Sequence, residues 1–198
     1  MADELPPYAA LLTHSVADLD QWQRAFDHDE DARRAAGILG HHINRAEDDP
    51  NRVTIFLALS DLDRARAFST SPELAARMQE AGATSAPEIR WLQPVREDVI
   101  WDRQLPALIL DHRVADFDAW LDVYDSVDDF QRAGGIIGQA ANRDLDDRQR
   151  VTVYHQAETF DTFRRFVADP ELKAVMDKAG VISPPEITFH TGGWAKFY

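Results

Sequence analysis

The residues most able to do chemistry come in pairs. His14 opens a nine-residue stretch, His14-Ser-Val-Ala-Asp-Leu-Asp-Gln-Trp22, and His112-Arg-Val-Ala-Asp-Phe-Asp-Ala-Trp120 repeats it. An imidazole titrates near neutrality and can take a proton from an acidic C–H or a phenol. Each histidine stands two residues past a leucine, Leu12 or Leu110, so on a strand it shares that leucine's face. The competing role is a ring that satisfies backbone groups at a strand-to-helix corner. Asp27 and Asp125 follow Phe26 and Tyr124; they either orient the histidines or belong to a solvated acidic helix face. Trp22 and Trp120 sit at core spacing and would wall a pocket or pack the core. Asn44-Arg45 and Asn142-Arg143 close a strand before an acidic turn, where the arginines would pair with that turn or bind an anionic substrate. The Tyr154 hydroxyl could donate to a substrate oxygen.

Other chemistries are disfavoured by what the chain lacks. It has no Cys, which removes disulfides, Fe–S clusters, thiolate zinc and Cys nucleophiles together. No HxxxH spacing of ligand type occurs, and His41 and His42, adjacent on a strand, point to opposite faces, so no metal site is expected. There is no GxGxxG, Walker A or GxSxG, which disfavours nucleotide cofactors and α/β-hydrolase chemistry. The 21 Lys+Arg against 35 Asp+Glu give a net charge of −14, unsuited to nucleic acid or an anionic membrane. No stretch approaches the roughly 20 apolar residues of a membrane span. The N-terminus, MADELPPYAALLTH, lacks the basic region of a signal peptide. The expected location is the cytoplasm.

The elements that must position these residues follow from an internal repeat. At a constant offset of 98 residues, Gly37-Ile-Leu-Gly40 returns as Gly135-Ile-Ile-Gly138, Arg52-Val-Thr54 as Arg150-Val-Thr152, and Pro87-Glu-Ile89 as Pro185-Glu-Ile187. About 34 of about 78 aligned positions are identical, and each half carries seven net negative charges. The halves are residues 1–97 and 98–198, each the size of a small domain. In the first half, Tyr8–His14 reads as a strand and Asp18–Ala36 as a helix capped by Asp18 and stopped by Gly37. Strands Ile38–Arg45 and Arg52–Ser60 follow, the latter alternating Val53, Ile55, Leu57 and Leu59. Asp61–Phe68 is a short helix, Ser71-Pro72-Glu73 restarts one with Ser as cap and Pro in its first turn, and Pro87–Leu92 is the last strand. The order β-α-β-β-α-β is the ferredoxin-like arrangement. Such a sheet has helices on one face only, and a unit this small cannot leave the other face wet. The fold class expected is therefore α+β, two tandem ferredoxin-like units packed sheet to sheet, with Arg96–Pro106 as connector.

These patterns, H-x-V-A-D-[LF]-D-x-W, G-I-[LI]-G, N-R-x-x-D-D, [SD]-P-E-L and A-G-x-x-x-x-P-E-I, resemble the dimeric α+β barrel superfamily, nearest its antibiotic-biosynthesis monooxygenase-like or cyclase-like group. The resemblance spans nearly the whole chain, once per unit. Usual members hold one unit and dimerise, so it implies a chain that is a pseudo-dimer by itself, with a further homodimer open. It also implies a range of chemistries: cofactor-free quinone-forming monooxygenases, polyketide cyclases, lactone isomerases, haem-degrading enzymes and proteins without a known reaction. In its cofactor-free oxygenases a Trp and an Asn line the pocket. Haem in this superfamily takes a His on the second long helix, and residues 61–81 and 159–179 contain none.

The expectation is a small-molecule enzyme working without metal or nucleotide on a hydrophobic, aromatic or polyketide-like compound. It would act as a cofactor-independent monooxygenase, cyclase or isomerase, with His112 and His14 as bases. The alternative is a non-catalytic binding or structural protein. An open cavity at either histidine would favour the enzyme, a closed apolar core at both the alternative. Unit two carries Tyr154, His155 and His190 where unit one has Phe56, Leu57 and Leu92, so the better pocket is expected there. Tyr154 would stand on its wall, and His155 would face away from it.

Overall fold

The computed structural model describes residues 5–198. Met1–Glu4, on which the reading of the N-terminus partly rests, lie outside the described residues. The first repeat is built from β1 (Tyr8–Ser15), α1 (Leu19–His28), α2 (Glu30–Ala35), β2 (Ile38–Ala46), β3 (Arg52–Leu59), α3 (Leu62–Ser69), α4 (Pro72–Glu80) and β4 (Glu88–Asp98). The second gives β5 (Ala107–Arg113), α5 (Phe117–Ser126), α6 (Asp128–Ala133), β6 (Gly138–Asp144), β7 (Arg150–Gln156), α7 (Phe160–Ala168), α8 (Pro170–Lys178) and β8 (Glu186–Phe197). The chain is thus α+β, with the ferredoxin-like order in tandem.

The caps form as the sequence predicts. Asp18 accepts from the Gln21 amide at 2.7 Å and Asp116 from Ala119 at 2.9 Å, satisfying N–H groups that have no partner within the helix. Gly37 ends the helical segment at φ +79°, a conformation only glycine adopts without strain. One difference lies in the long helix. Instead of a single rod over 18–36, the chain breaks at Asp29, which leaves helical geometry at φ −85°, ψ 16°. Its carboxylate lies 3.5 Å from Arg77 of α4.

In the first unit the strand order is β4-β1-β3-β2, all antiparallel, with Leu12 opposite Ile55 and His14 opposite Val53. Pairing sets the alternation. Ile43, Val53, Ile55 and Leu57 face the helices and form one core with Trp22, Leu59 and Ala65. In the second unit the order is β8-β5-β7-β6, and Leu108, Leu110, Val151 and Val153 meet Phe117, Trp120, Phe163 and Phe166.

The last strand of the first repeat is longer than predicted. β4 runs on to Asp98, so the proposed connector begins as strand. Compact units do not divide where the repeat does. One ends at Leu92 and takes back Gly193–Tyr198; the other is Gln93–Gly192. The tail is held in the first unit by the Tyr198 amide, which donates to the Leu39 carbonyl at 2.8 Å. Gly193 makes the approach possible, since a Cβ there would fall 1.2 Å from the Ile43 oxygen.

Candidate active site

Each unit has a cavity between its sheet and its helices, and residues at the 98-residue offset line both. In unit one the walls include Leu12, His14, Trp22, Phe26, Ile55 and Leu57; in unit two, Leu110, His112, Trp120, Tyr124, Val153 and His155. The volumes differ greatly, about 670 Å³ in unit one and about 50 Å³ in unit two. The first can take a multi-ring organic molecule; the second holds little more than water.

His14 is where the sequence puts it. It sits near the end of β1, buried, on the helix-facing side. Its ring meets Trp22 edge-on at 5.5 Å between centroids, and Trp22 stacks on Phe26 at 5.1 Å. Neither ring nitrogen has a hydrogen-bond partner. Burial pushes its pKa down to about 4, so the ring is neutral at pH 7. A neutral imidazole keeps one lone pair able to accept a proton; both nitrogens are closed off from solvent, so the ring must turn to present it to the cavity. His112 matches it in unit two: buried, 5.9 Å from Trp120, with both nitrogens unpartnered and a pKa pushed down to about 4 by burial.

The expected asymmetry is reversed. The larger cavity lies beside His14, because unit two fills the equivalent space. Ala25 and Ala32 of unit one become Val123 and Phe130, and Phe130 packs on Phe166 at 5.6 Å. The placement of Tyr154 and His155 is also corrected. Val153 and His155 line the helix-side cavity, and Tyr154, between them on β7, faces the other way. His155 inherits the position of Leu57 in the apolar alternating row, and that row must meet the helices. Both its ring nitrogens lack partners, and burial pushes its pKa down to about 3.

The remaining predicted site residues lie apart from His14 and His112. Asn44 approaches His42 Nδ1 at 3.4 Å, and Asn142 donates to the Thr152 carbonyl at 3.4 Å, both on the sheet face turned away from the helices. Arg143 lies over the Phe117 ring at 4.3 Å and donates to the Arg148 carbonyl. Arg45 closes β2 at a half-buried position. None of these four is among the residues lining the two cavities. Asp27 is exposed, and Asp125 forms a two-pronged pair with Arg96 at 2.9 and 2.5 Å, so neither orients a histidine.

Sequence reading missed Arg33. It follows Trp22 and Phe26 on the same helical stripe, a charge where the pattern asks for an apolar residue, and that was the available signal. It is only 4% exposed and lines the unit-one cavity. Its guanidinium lies 3.7 Å over the Phe26 ring, donates from Nε to the Tyr198 hydroxyl at 2.6 Å and from Nη1 to the Phe26 carbonyl. The Tyr198 hydroxyl is 2.9 Å from His41 Nδ1. His41 has a pKa of about 4, lowered by burial first and then by the Arg33 charge, so the ring is neutral at pH 7 and shares one hydrogen bond with the tyrosine.

Among the described residues, no helix is long and apolar enough to cross a membrane, and no group of three or more His, Asp or Glu could hold a metal ion.

No protein-family model matches the sequence, and no curated protein matches it. Solved structures do. An anthrone oxidase-like protein superposes with a TM-score of 0.71 at 11% identity, covering 100% of this chain and 95% of that one. A candidate monooxygenase from Lactobacillus acidophilus NCFM gives 0.63 at 11% identity, covering 98% and 99%. A major regulator of staphylococcal pathogenesis gives 0.54 at 10% identity, covering 91% and 97%. Such identities are a likeness of fold alone: the chain has two ferredoxin-like units in tandem. The names differ in activity, as expected where function lives in the site rather than the scaffold.

Proposed function

We propose that the unit-one cavity is the active site of an enzyme without metal or nucleotide, acting on a hydrophobic, multi-ring aromatic or polyketide-like compound. The observation that carries this reading is the cavity of about 670 Å³ beside His14, whose two ring nitrogens have no protein partner. His14 takes a proton from an acidic C–H of the bound compound, and Trp22 and Phe26 wall the apolar body. The resulting carbanion either reacts with dioxygen, as in a cofactor-independent monooxygenase, or closes or shifts a bond, as in a cyclase or isomerase. A pKa near 4 makes His14 a weak base, so the fitting substrates are acidic carbon acids whose anion the aromatic ring system stabilises. Neighbours named as a candidate monooxygenase and an anthrone oxidase-like protein support the oxygenase branch. The absence of nucleic-acid and membrane partners, and a cytoplasmic location, belong to the same reading.

A second reading is a ligand-binding protein without turnover. It is favoured by one observation: no carboxylate or carbonyl orients the His14 ring, whereas catalytic bases are usually held by a third group. Anthrone, a tricycle with an acidic methylene, distinguishes the two. It should be converted to anthraquinone and water with one dioxygen consumed per turnover, and His14→Ala should cost about a hundredfold in rate or more. Binding of anthrone without dioxygen uptake or any other product would overturn the enzyme in favour of the binding protein.

A further inference from the structure

Arg33 is a buried cation without a counterion. The Tyr198 hydroxyl takes its Nε, and the Phe26 carbonyl takes Nη1; Nη2 is buried with no partner. The neighbouring carboxylates are committed elsewhere: Glu30 pairs with Arg34 at 3.0 Å and with Lys196, and Asp29 faces Arg77 at 3.5 Å. Asp31 and Glu80, which also line the cavity, are exposed. An uncompensated charge inside a protein is costly, and the cost is relieved by an anion that enters with the ligand.

The geometry fits that use. Two of the three guanidinium nitrogens are tied to protein, so the plane is fixed over Phe26 and Nη2 is the one nitrogen without an acceptor; it is covered, and a guest oxygen reaches it by displacing that cover. A contact through Nη2 alone suits a single oxygen. His14 and Arg33 stand at the two ends of the Trp22–Phe26 stack, His14 against Trp22 and Arg33 against Phe26. A flat aromatic body laid along that stack would bring an oxygen at one end to Arg33 and its other end to His14. Unit two has neither the space nor the charge: the matching residue is Gln131.

Resting on the proposed function above, we infer that Arg33 is an oxyanion-binding residue, and that the substrate class is an aromatic compound bearing a carboxylate or phenolate oxygen, end-on to Nη2. Tyr198 is a positioning residue that holds the guanidinium plane through Nε.

A matched pair of probes tests this on the full chain: 2-naphthoate and 2-naphthylmethanol, equal in ring system and different in charge. Wild-type protein should bind the naphthoate more tightly. Arg33→Gln, the residue unit two carries, should weaken naphthoate by about tenfold or more and naphthylmethanol by less than about twofold. Tyr198→Phe, which keeps Arg33 but frees its plane, should weaken naphthoate by a smaller factor and spare the alcohol; it also carries the test should Arg33→Gln fail to fold. Equal weakening of both probes, or no wild-type preference for the acid, would overturn the oxyanion role and leave the apolar cavity standing. Binding of neither probe would overturn the cavity reading and this inference together.

Discussion

The two units make one scaffold with two fillings. Both place a histidine at the end of the first strand, a tryptophan one helical turn into the first helix, and a phenylalanine on the third helix of the unit against the same sheet face. Unit one leaves a space of about 670 Å³ there, unit two about 50 Å³. Identical backbone order therefore does not decide whether a site exists. A handful of side chains does: alanines at 25 and 32 against Val123 and Phe130. Polarity moved with volume. The open copy holds Arg33 and its hydroxyl partner, while the closed copy holds His155, a polar ring in a row of apolar ones.

The largest effect that could break this comparison is catalytic. His14→Ala should lower turnover of an accepted substrate by about a hundredfold or more, while His112→Ala should leave the rate within about twofold. Initial rates of dioxygen uptake or product formation check both variants. Next in size is the exchange of fillings. Phe130→Ala should open unit two at a cost of about 3 kcal/mol, the low end for such a truncation because the ring is half-buried. The reverse change, Ala32→Phe with Ala25→Val, fills an existing void. It should abolish naphthalene-probe binding with little change in stability. Denaturant midpoints and titrations measure both.

Smaller again is His155→Leu, which restores the residue of unit one. Removing a buried ring with two unpartnered nitrogens should stabilise the chain by about 1–3 kcal/mol at pH 7. The pH dependence follows from the histidines. His14, His41, His42 and His112 have folded pKa values of about 4, and His155 about 3, each lowered chiefly by burial. In the unfolded chain they titrate near about 6.5. Between those values the unfolded state binds more protons, so their contribution is complete above about pH 6.5 and is lost progressively as pH falls toward 4. Unfolding at pH 7 and pH 5 should show a lower midpoint at pH 5, and His155→Leu should lose less than wild type.

Much of the fold was legible in residues. The 98-residue offset, the Asp18 and Asp116 caps and the alternating row from Val53 to Leu59 each state a local rule that the structure obeys. The face of His14 was legible too, through its spacing from Leu12. What escaped depended on distance in sequence. Arg33 needs Tyr198, 165 residues away, to hold its side chain, and no local pattern carries that contact. The facing of His155 was readable from its register with Leu57, but a histidine on an apolar row invites the opposite inference. Cavity volume was beyond reach, since it depends on how α1, α2 and α4 pack, and a few methyl groups decide it.

The central claim is that one site works and that it is the one lined by His14. The most direct measurement follows the indole N–H signals of Trp22 and Trp120 by ¹⁵N–¹H correlation NMR as 2-naphthylmethanol is added to the intact protein. The account predicts saturable shifts at Trp22, one probe per chain, and an unmoved Trp120. Shifts at Trp120 alone, or equal saturable shifts at both with two probes bound, would contradict it.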